Sequence, residues 1–364
     1  MSFAISDARR VELSAGEVTG AVGDSITVLP IVVAMAALTD VSLPHVLLAF
    51  GVFQIVWGVR YGLPISVEPM KALAALAIAG ALSYAELALA GLVLGVVLLG
   101  IGAAGALTRV ERWIGEPVIR GVQFAVALLL LETGLGLAVE DLALATAAAV
   151  IALVAIALGR KRASALVVLL VGVAITLATA GVPSPQLLGA PPLPPISEAF
   201  TWRTVDGVFA QLAMTIGNAA LATSLLFSDL FDREISADRL STSMGATNLL
   251  AVPLGGIPMC HGCDGVAGKF EFGARTGGAN VVLGVGYLAL VPFASAAFLG
   301  AFPIAMLGVL LVMVAVSLGA GVRRSSNLAL SASIGLLALV LNLGVAFVLG
   351  VVVHLAIERA RRGA

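Results

Sequence analysis

Charged side chains are scarce in this chain, and the shortage recurs along its whole length. Asp, Glu, Lys and Arg make up 11% of the 364 residues, whereas hydrophobic residues make up 60% and the mean hydropathy is +1.11. A soluble globular domain carries about 25% charged residues. The composition therefore excludes an ordinary soluble domain and indicates an integral membrane protein built from helices.

Signatures of catalysis are also absent. We find no phosphate-binding loop, no Ser-His-Asp arrangement and no carboxylate pair suited to hydrolysis. The formal net charge of −1 identifies no charged partner, and we expect no nucleic acid. The polar start of the chain indicates no cleavable signal peptide. We therefore expect neither an enzyme nor a cofactor.

The apolar runs, divided at charges and helix breakers, predict about fourteen membrane segments. Their approximate bounds are 19–38, 43–59, 64–82, 86–107, 117–137, 142–158, 163–181, 206–228, 238–253, 257–272, 278–298, 302–320, 328–341 and 343–358. A Pro-rich stretch at 182–205 cannot be helical and is predicted to be an external loop. It separates a first half, 1–181, from a second half, 206–364.

Seven segments in each half is an odd number, so the two halves must insert with opposite orientation. Gly23-Asp24 in the first segment resembles Gly217-Asn218 in the eighth. Pro69-Met70 in the third segment resembles Pro258-Met259 in the tenth. We therefore predict an all-α integral membrane protein with a seven-plus-seven inverted repeat, in which segments 3 and 10 are broken half-helices.

Positive charge in short loops marks the cytoplasmic side of a membrane protein. With the N-terminus inside and one crossing per segment, Arg203 falls outside and Lys71 is the only cation placed within a segment. All the other Lys and Arg fall inside: Arg9, Arg10, Arg60, Arg109, Arg112, Arg120, Arg160, Lys161, Arg162, Arg233, Arg239, Lys269, Arg275, Arg323, Arg324, Arg359, Arg361 and Arg362. This distribution predicts a multi-pass protein of the cytoplasmic membrane with both termini in the cytoplasm.

Each half contains a Pro-Met dipeptide that interrupts an apolar stretch, at 64–71 and at 253–262. Broken hydrophobic segments at corresponding positions of two halves point to the substrate site of a transporter. Pro69 and Pro258 suit the first position of a helix. We therefore expect extended segments followed by two half-helices whose N-termini meet near the middle of the membrane, where irregular backbone is tolerated only beside a cavity.

Several stretches resemble one known family, and the resemblance runs over nearly the full chain. They are 12–17 with 23–24, 68–72, 211–219 with 228–231, and 254–262 followed by 272–278. In these stretches the sequence resembles the MOT-type molybdate transporters, a branch of the sulfate permease superfamily. The resemblance implies core and gate domains, an oxyanion substrate, import, and no cytoplasmic STAS domain. Cys263-Asp264 departs from the small residues of the family.

A helix N-terminus inside the membrane offers N–H donors and about half a positive charge, which suits an oxyanion. Gln211 and Asn218 add neutral donors, although hydrogen bonding between helices explains them equally well. The candidate substrate-binding residues are Ser66, Glu68, Pro69, Met70, Lys71, Gln211, Asn218, Pro258, Met259, Cys260, His261 and Gly262.

Four of the polar residues have two interpretations each. Glu68 and Lys71 share a helical face, so they form a structural ion pair or act in binding and coupling. Glu68 beside an anion is the first candidate for proton coupling. Asp24, the second coupling candidate, either caps a helix or binds a cation. His261 either lies near the substrate or is a satisfied structural histidine.

The cysteines suggest a metal site at first sight. Cys260, His261, Cys263 and Asp264 offer four zinc ligands, but adjacent ligands on one turn rarely converge. The order of these residues does not match a haem-attachment signature, and a redox disulfide is a further alternative. We expect no metal.

The sequence thus predicts a secondary active transporter of molybdate that works by alternating access. In this hypothesis a core of segments 1–4 and 8–11 moves against a gate of segments 5–7 and 12–14. Sulfate and tungstate are rival substrates, and an anion channel or facilitator on the same fold is a rival mechanism. The expected partners are the oxyanion, a coupling proton or cation and the lipid bilayer, with a homodimer left open.

Overall fold

The structure, a computed structural model, describes residues 11–161 and 163–363. The predicted cytoplasmic cations Arg9, Arg10 and Arg162 lie outside the described residues. The helices of the first half are α1 (Ala15–Leu38), α2 (Leu43–Tyr61), α3 (Lys71–Ile78), α4 (Tyr84–Ala103), α5 (Leu107–Ile114), α6 (Glu116–Ala138), α7 (Leu142–Ala157) and α8 (Ser164–Ala180). Those of the second half are α9 (Trp202–Met214), α10 (Thr223–Phe231), α11 (Ala237–Ala251), α12 (Cys263–Glu271), α13 (Gly278–Leu290), α14 (Ala296–Gly300), α15 (Ile304–Gly319), α16 (Leu328–Val340) and α17 (Leu343–Gly363).

Each of the fourteen predicted segments contains a helix, but only some helices are long enough to cross a membrane alone. Within the described ranges, six helical stretches have the length and apolar composition of a membrane span: Leu43–Tyr61, Tyr84–Ala103, Glu116–Ala157, Trp202–Phe231, Ile304–Arg324 and Leu343–Arg362. Helix α1, bent by 44° between Ala15–Ile26 and Val28–Leu38, would be a seventh. The architecture is that of a multi-pass helical membrane protein, and the count of fourteen and the inverted repeat stay predictions.

Segments 3 and 10 are interrupted by extended backbone. Strand β1 (Glu68–Pro69) precedes α3, and strand β2 (Met259–Cys260) precedes α12. The strands pair antiparallel, with Glu68 opposite Cys260 and Pro69 opposite Met259. The N–H of Met70 also donates to the carbonyl of Pro258 at 2.9 Å. Both half-helices therefore start from one short ladder.

The expectation that the two prolines open the half-helices is wrong. Helix α3 begins at Lys71 with Met70 as its N-cap, and α12 begins at Cys263 after Gly262. Pro69 lies in β1 and Pro258 lies directly before β2. A proline has no N–H to give to a ladder, so it is tolerated at a position whose N–H the ladder does not use.

Side-chain amides brace both extended segments. Asn248 of α11 accepts the N–H of Met259 at 2.7 Å and donates to the carbonyl of the same residue at 2.8 Å. Gln54 of α2 donates to the carbonyl of Val67 at 3.2 Å. Both amides are fully buried. They satisfy backbone groups that have no helical partner at a depth where water is excluded.

Helix α1 packs directly on α12 because a glycine lies at the contact. A Cβ at Gly23 would lie 2.6 Å from the carbonyl oxygen of Gly268. Nearer the start of α1, the buried carboxylate of Glu17 accepts the backbone N–H groups of Arg275, Thr276 and Ala279, each at 2.9 Å. The two stretches 12–17 and 272–278 are thus partners in the fold, and these contacts are structural.

The predicted core and gate meet at α9 and α17. The Asp206 carboxylate of α9 accepts the N–H of Gly344 in the first turn of α17. The rings of Phe209 and Phe347 stack with their centroids 6.2 Å apart. These two contacts hold the predicted core helix against the predicted gate helix.

Candidate functional site

A small pocket lies between the first turns of α3 and α12. Its cavity of about 20 Å³ holds little more than one water molecule. Helix α9 and the π-helix Thr215–Ala222, which joins α9 to α10, form the opposite wall. The lining residues are Glu68, Lys71, Gln211, Met214, Asn218, Ala219, Cys260, His261, Gly262, Cys263 and Asp264.

One lysine balances two carboxylates in this pocket. Lys71 Nζ lies 2.8 Å from Glu68 Oε2 and 3.1 Å from Asp264 Oδ2. The Glu68 side chain is 1% exposed, whereas that of Asp264 is 55% exposed. Since two acids face one base, the ionised cluster has a net charge of −1. A doubly charged anion is therefore repelled unless a carboxylate is displaced or neutralised.

Glu68 also holds the N-terminus of α12. Its Oε1 accepts the N–H of Gly265 at 3.0 Å and faces the Ser66 hydroxyl at 2.9 Å. A Cβ at Gly262 or at Gly265 would overlap the Glu68 carboxylate, so both positions need glycine. The Glu68 carboxylate thus accepts from the Gly265 N–H, a donor that the N-terminus of α12 would otherwise offer to a bound anion.

Gln211 covers the N-terminus of α3 in a similar way. Its Oε1 accepts the N–H groups of Ala72 at 2.8 Å and of Leu73 at 3.3 Å, and its Nε2 donates to Thr215 at 2.9 Å. The sequence predicts Gln211 as a donor in the site, but in the structure its acceptor faces the helix. In this conformation side-chain oxygen atoms of Gln211 and Glu68 accept the first-turn N–H groups of both half-helices.

Asn218 connects the pocket with the predicted gate. It lies on the π-helix Thr215–Ala222, and its Nδ2 is 3.5 Å from Gln123 Oε1 of α6. The same Gln123 oxygen accepts from Arg120 Nη1 at 3.0 Å. A π-helical turn inside a helix is rare and is frequently found at functional sites. Asn218 therefore lines the pocket and also contacts a side chain of the predicted gate helix α6.

Both ring nitrogens of His261 have protein partners. Nδ1 lies 2.9 Å from the carbonyl oxygen of Ser66, and since a carbonyl only accepts, Nδ1 carries the hydrogen. Nε2 lies 2.7 Å from the Ser243 hydroxyl. The rings of Trp57 and Tyr61 meet the imidazole edge-on. This geometry favours the structural interpretation, although the residue borders the pocket.

Five of the candidate residues lie behind the pocket rather than in its lining. They are buried in or beside the ladder: Ser66, Pro69, Met70, Pro258 and Met259. Four lining residues were not selected from the sequence: Met214, Ala219, Cys263 and Asp264.

The two cysteines are free thiols in the pocket wall. Cys260 Sγ lies 3.8 Å from the carbonyl oxygen of Pro69, and Cys263 Sγ lies 3.9 Å from Asp264 Oδ1. The structure therefore does not join them in a disulfide, and each has an oxygen atom as its neighbour.

Lys269 is a buried cation that the sequence analysis missed. The charge distribution assigns it to the inner face, but it is fully buried on α12 and its Nζ lies 3.0 Å from Asp24 Oδ2. The prediction that Lys71 is the only cation within a segment is therefore wrong. The signal was present, because Lys269 lies inside the predicted segment 257–272 and the first segment carries an acid that needs compensation.

Asp24 lies in the middle of α1 and connects this lysine with the pocket. The Ser66 hydroxyl donates to Asp24 Oδ1 at 2.5 Å and also faces Glu68. Asp24 does not cap α1, whose N-cap is Ser14, and its carboxylate pairs with Lys269; its role as a coupling residue stays a prediction. A continuous line of polar contacts thus runs from Lys269 through Asp24, Ser66 and Glu68 to Lys71.

Two comparisons of sequence identify relatives of the chain. Residues 16–130 and 203–318 match a family model described as "Molybdate transporter of MFS superfamily". Molybdate transporter 2 of Arabidopsis thaliana is 30% identical over 373 residues, which cover 85% of this chain and 80% of the relative. Molybdate transporter 1 of the same plant is 32% identical over 365 residues, which cover 84% and 79%.

Solved structures share the fold. The transmembrane domain of the cyanobacterial bicarbonate transporter BicA matches with a TM-score of 0.63 at 17% identity, over 93% of this chain and 95% of that chain. The structure of SLC26A9 matches with a TM-score of 0.73 at 13% identity, over 94% and 65%. At such identities the likeness establishes the fold and leaves the substrate to be argued from the site.

Proposed function

This chain belongs to the molybdate transporter family, and from that premise we propose that it is a secondary active transporter that imports molybdate across the cytoplasmic membrane. The observation that carries the proposal is the pocket between the first turns of α3 and α12, where Lys71 lies beside two helix N-termini. A tetrahedral oxyanion gains from the N–H donors and the partial positive charge at such ends. The names of the relatives support molybdate as the substrate, and the two helix N-termini beside Lys71 support an anion site in the pocket.

Before the anion can bind, acceptor groups of the protein must move away from the donors that they now contact. In the structure Glu68 and Asp264 hold Lys71, and Glu68 holds the N–H of Gly265. A cavity of about 20 Å³ is too small for a tetrahedral oxyanion. Because Asp264 is the exposed member of the cluster, it swings away as the anion enters. Lys71 and the first-turn amides of α12 then meet the oxygen atoms of the substrate.

A proton on Glu68 couples this exchange to the pH gradient. Protonation removes the charge that holds Lys71, and it weakens the hold on the Gly265 N–H because a neutral carboxyl is a poorer acceptor than a carboxylate. Ser66 has a single hydroxyl hydrogen and donates to Asp24 or to Glu68, not to both at once. Because protonation of Glu68 frees these donors for the substrate, the proton and the oxyanion enter together. The positive charge of the proton offsets part of the negative charge of the anion.

Movement of the core against the gate then carries the pocket from one side of the membrane to the other. The contacts between Asp206 and Gly344 and between Phe209 and Phe347 join α9 to α17. They must break for a path between the two domains to open there. We assign both termini to the cytoplasm from the distribution of Lys and Arg, and the homodimer stays a prediction.

Calorimetry on the detergent-purified protein tests the proposal. Molybdate is titrated alone, then with tungstate or with excess sulfate as competitor. We expect tight molybdate binding that sulfate does not displace. Absence of binding, or a preference for sulfate, would overturn the molybdate assignment while leaving the fold as described. Concentrative uptake into proteoliposomes that an ionophore abolishes would exclude a channel or facilitator.

A further inference from the structure

The ammonium group of Lys269 lies in a cage of four oxygen atoms. Its Nζ is 2.6 Å from the carbonyl oxygen of Ile65, 3.0 Å from Gln54 Oε1, 3.1 Å from Asn280 Oδ1 and 3.0 Å from Asp24 Oδ2. The four oxygens come from α1, α2, α13 and the extended chain before β1. Lys269 itself is fully buried.

The orientation of the two amides in the cage follows from their other hydrogen bonds. Gln54 Nε2 donates to Asp24 Oδ2 at 2.8 Å, which leaves Gln54 Oε1 for the lysine. Asn280 Nδ2 donates to Gln54 Oε1 and to the carbonyl of Ile65, each at 2.6 Å, which leaves Asn280 Oδ1 for the lysine. The cage is therefore built to present oxygen atoms inward and is held in that form by its own network.

The contacts require a cation at the centre. A neutral amine would turn its lone pair toward one of the four oxygens, whereas an ammonium group offers three donors and no acceptor. Distances of 2.6–3.1 Å to the cage oxygens are those of N–H···O hydrogen bonds. Ligand distances around calcium or magnesium are shorter, at about 2.0–2.6 Å. With a single carboxylate, the cage suits a monovalent nitrogen cation.

We propose that Lys269 is a built-in cation: it occupies a monovalent-cation site made by Asp24, Gln54, Ile65 and Asn280 and makes bound sodium unnecessary there. Lys269 lies on α12, the half-helix whose first turn faces the pocket. The ammonium group neutralises Asp24 and holds the extended chain before β1 against α12. In the part that concerns transport, the inference rests on the function proposed above.

Chemical complementation of a cavity variant tests the site directly. Lys269→Ala removes a group with the size and charge of n-propylammonium and leaves Asp24 buried without its cation. We expect the melting temperature of the purified variant to fall by about 5 °C or more. Millimolar n-propylammonium, in a buffer whose other cation is choline, should restore most of the loss. n-Propanol, which has the same length and no charge, should not.

Val266→Ala is the matched control, because Val266 is fully buried on the same helix. Its cavity lacks the four-oxygen cage, so n-propylammonium should leave its melting temperature unchanged. An equal shift in both variants, an equal effect of n-propanol, or no recovery would overturn the proposal. If Lys269→Ala does not fold, the melting temperature of Lys269→Met is measured instead, because this variant keeps an unbranched side chain and loses the charge. Wild-type stability of Lys269→Met would contradict the inference.

The transport arm compares oxyanion uptake by wild-type proteoliposomes in sodium and in choline buffers. We expect rates within about twofold of each other, because the cage is already filled. A loss of tenfold or more in choline would overturn the sodium independence. The two proposals fail separately: absence of molybdate binding would reject the transport function, while the melting experiments would still decide the role of Lys269.

Discussion

The carboxylate of Glu68 accepts the backbone N–H of Gly265 at 3.0 Å, although the two residues belong to different halves of the chain. The bond places a negative charge of the protein at the N-terminus of α12, where an anionic substrate would gain most. Substrate and Glu68 therefore compete for the same donors, and this competition leads to the first prediction.

Glu68→Gln should abolish accumulation of oxyanion in response to a pH gradient while leaving exchange of internal for external substrate intact. The amide keeps an oxygen for the Gly265 N–H but cannot take up a proton. Uptake and counterflow in proteoliposomes measure the two activities. Asp229→Asn is the control, because Asp229 is exposed on α10 and does not line the pocket. A Glu68→Gln protein that still concentrates substrate on a pH gradient would refute the coupling role.

Asp264→Asn should tighten oxyanion binding. The substitution removes one of two carboxylates that hold Lys71, and an ion pair with an exposed partner contributes up to about 1 kcal/mol, or roughly a factor of five in Kd. Calorimetry on the variant at fixed pH gives the change in Kd. Unchanged or weaker binding by a folded variant would show that Asp264 does not compete with the substrate.

Gly265→Ala should destabilise the protein by about 1–3 kcal/mol or more and weaken substrate binding, because the new Cβ overlaps Asp24, Ser66 and Glu68. Gly136→Ala is the control, since a Cβ there meets nothing within 4 Å. That variant should stay within about 0.5 kcal/mol of wild type. Thermal unfolding and calorimetry read out both variants, and equal stability of the two would contradict the packing argument.

Crosslinking the predicted core to the predicted gate should stop uptake and leave substrate binding intact. Cysteines in place of Phe209 and Phe347, whose rings stack with centroids 6.2 Å apart, are joined by a short bifunctional thiosulfonate. The single variants Phe209→Cys and Phe347→Cys receive the same reagent, which controls for the two native thiols. Uptake should return after reduction. Normal uptake by the crosslinked protein would rule out alternating access by these two helices.

The broad architecture could be predicted because its signals are local. Breakers and charges mark the ends of apolar runs, and the two Pro-Met stretches correctly indicated extended chain before a half-helix. The starting residues of the half-helices were wrong, because an antiparallel ladder between positions 68–69 and 259–260 leaves no local pattern. It takes the prolines out of the helices and into extended chain.

The details of the site depended on contacts between distant residues. Gln211 was expected to donate, but an amide carries both a donor and an acceptor, and only the position of α3 decides which one faces inward. Lys269 was assigned to the inner face from the distribution of Lys and Arg with one crossing per segment. Its partner Asp24 lies far away in sequence, and the cage between them forms only when α1, α2 and α13 surround α12.

The two-residue ladder between β1 and β2 has a consequence for biosynthesis. Glu68 and Pro69 emerge from the ribosome early, but their partners Met259 and Cys260 follow only after the rest of the first half and the beginning of the second half have been made. Until then the first half contains an extended segment with open hydrogen-bonding positions inside the membrane. A chain truncated before residue 259 therefore lacks the strand that pairs with Glu68 and Pro69.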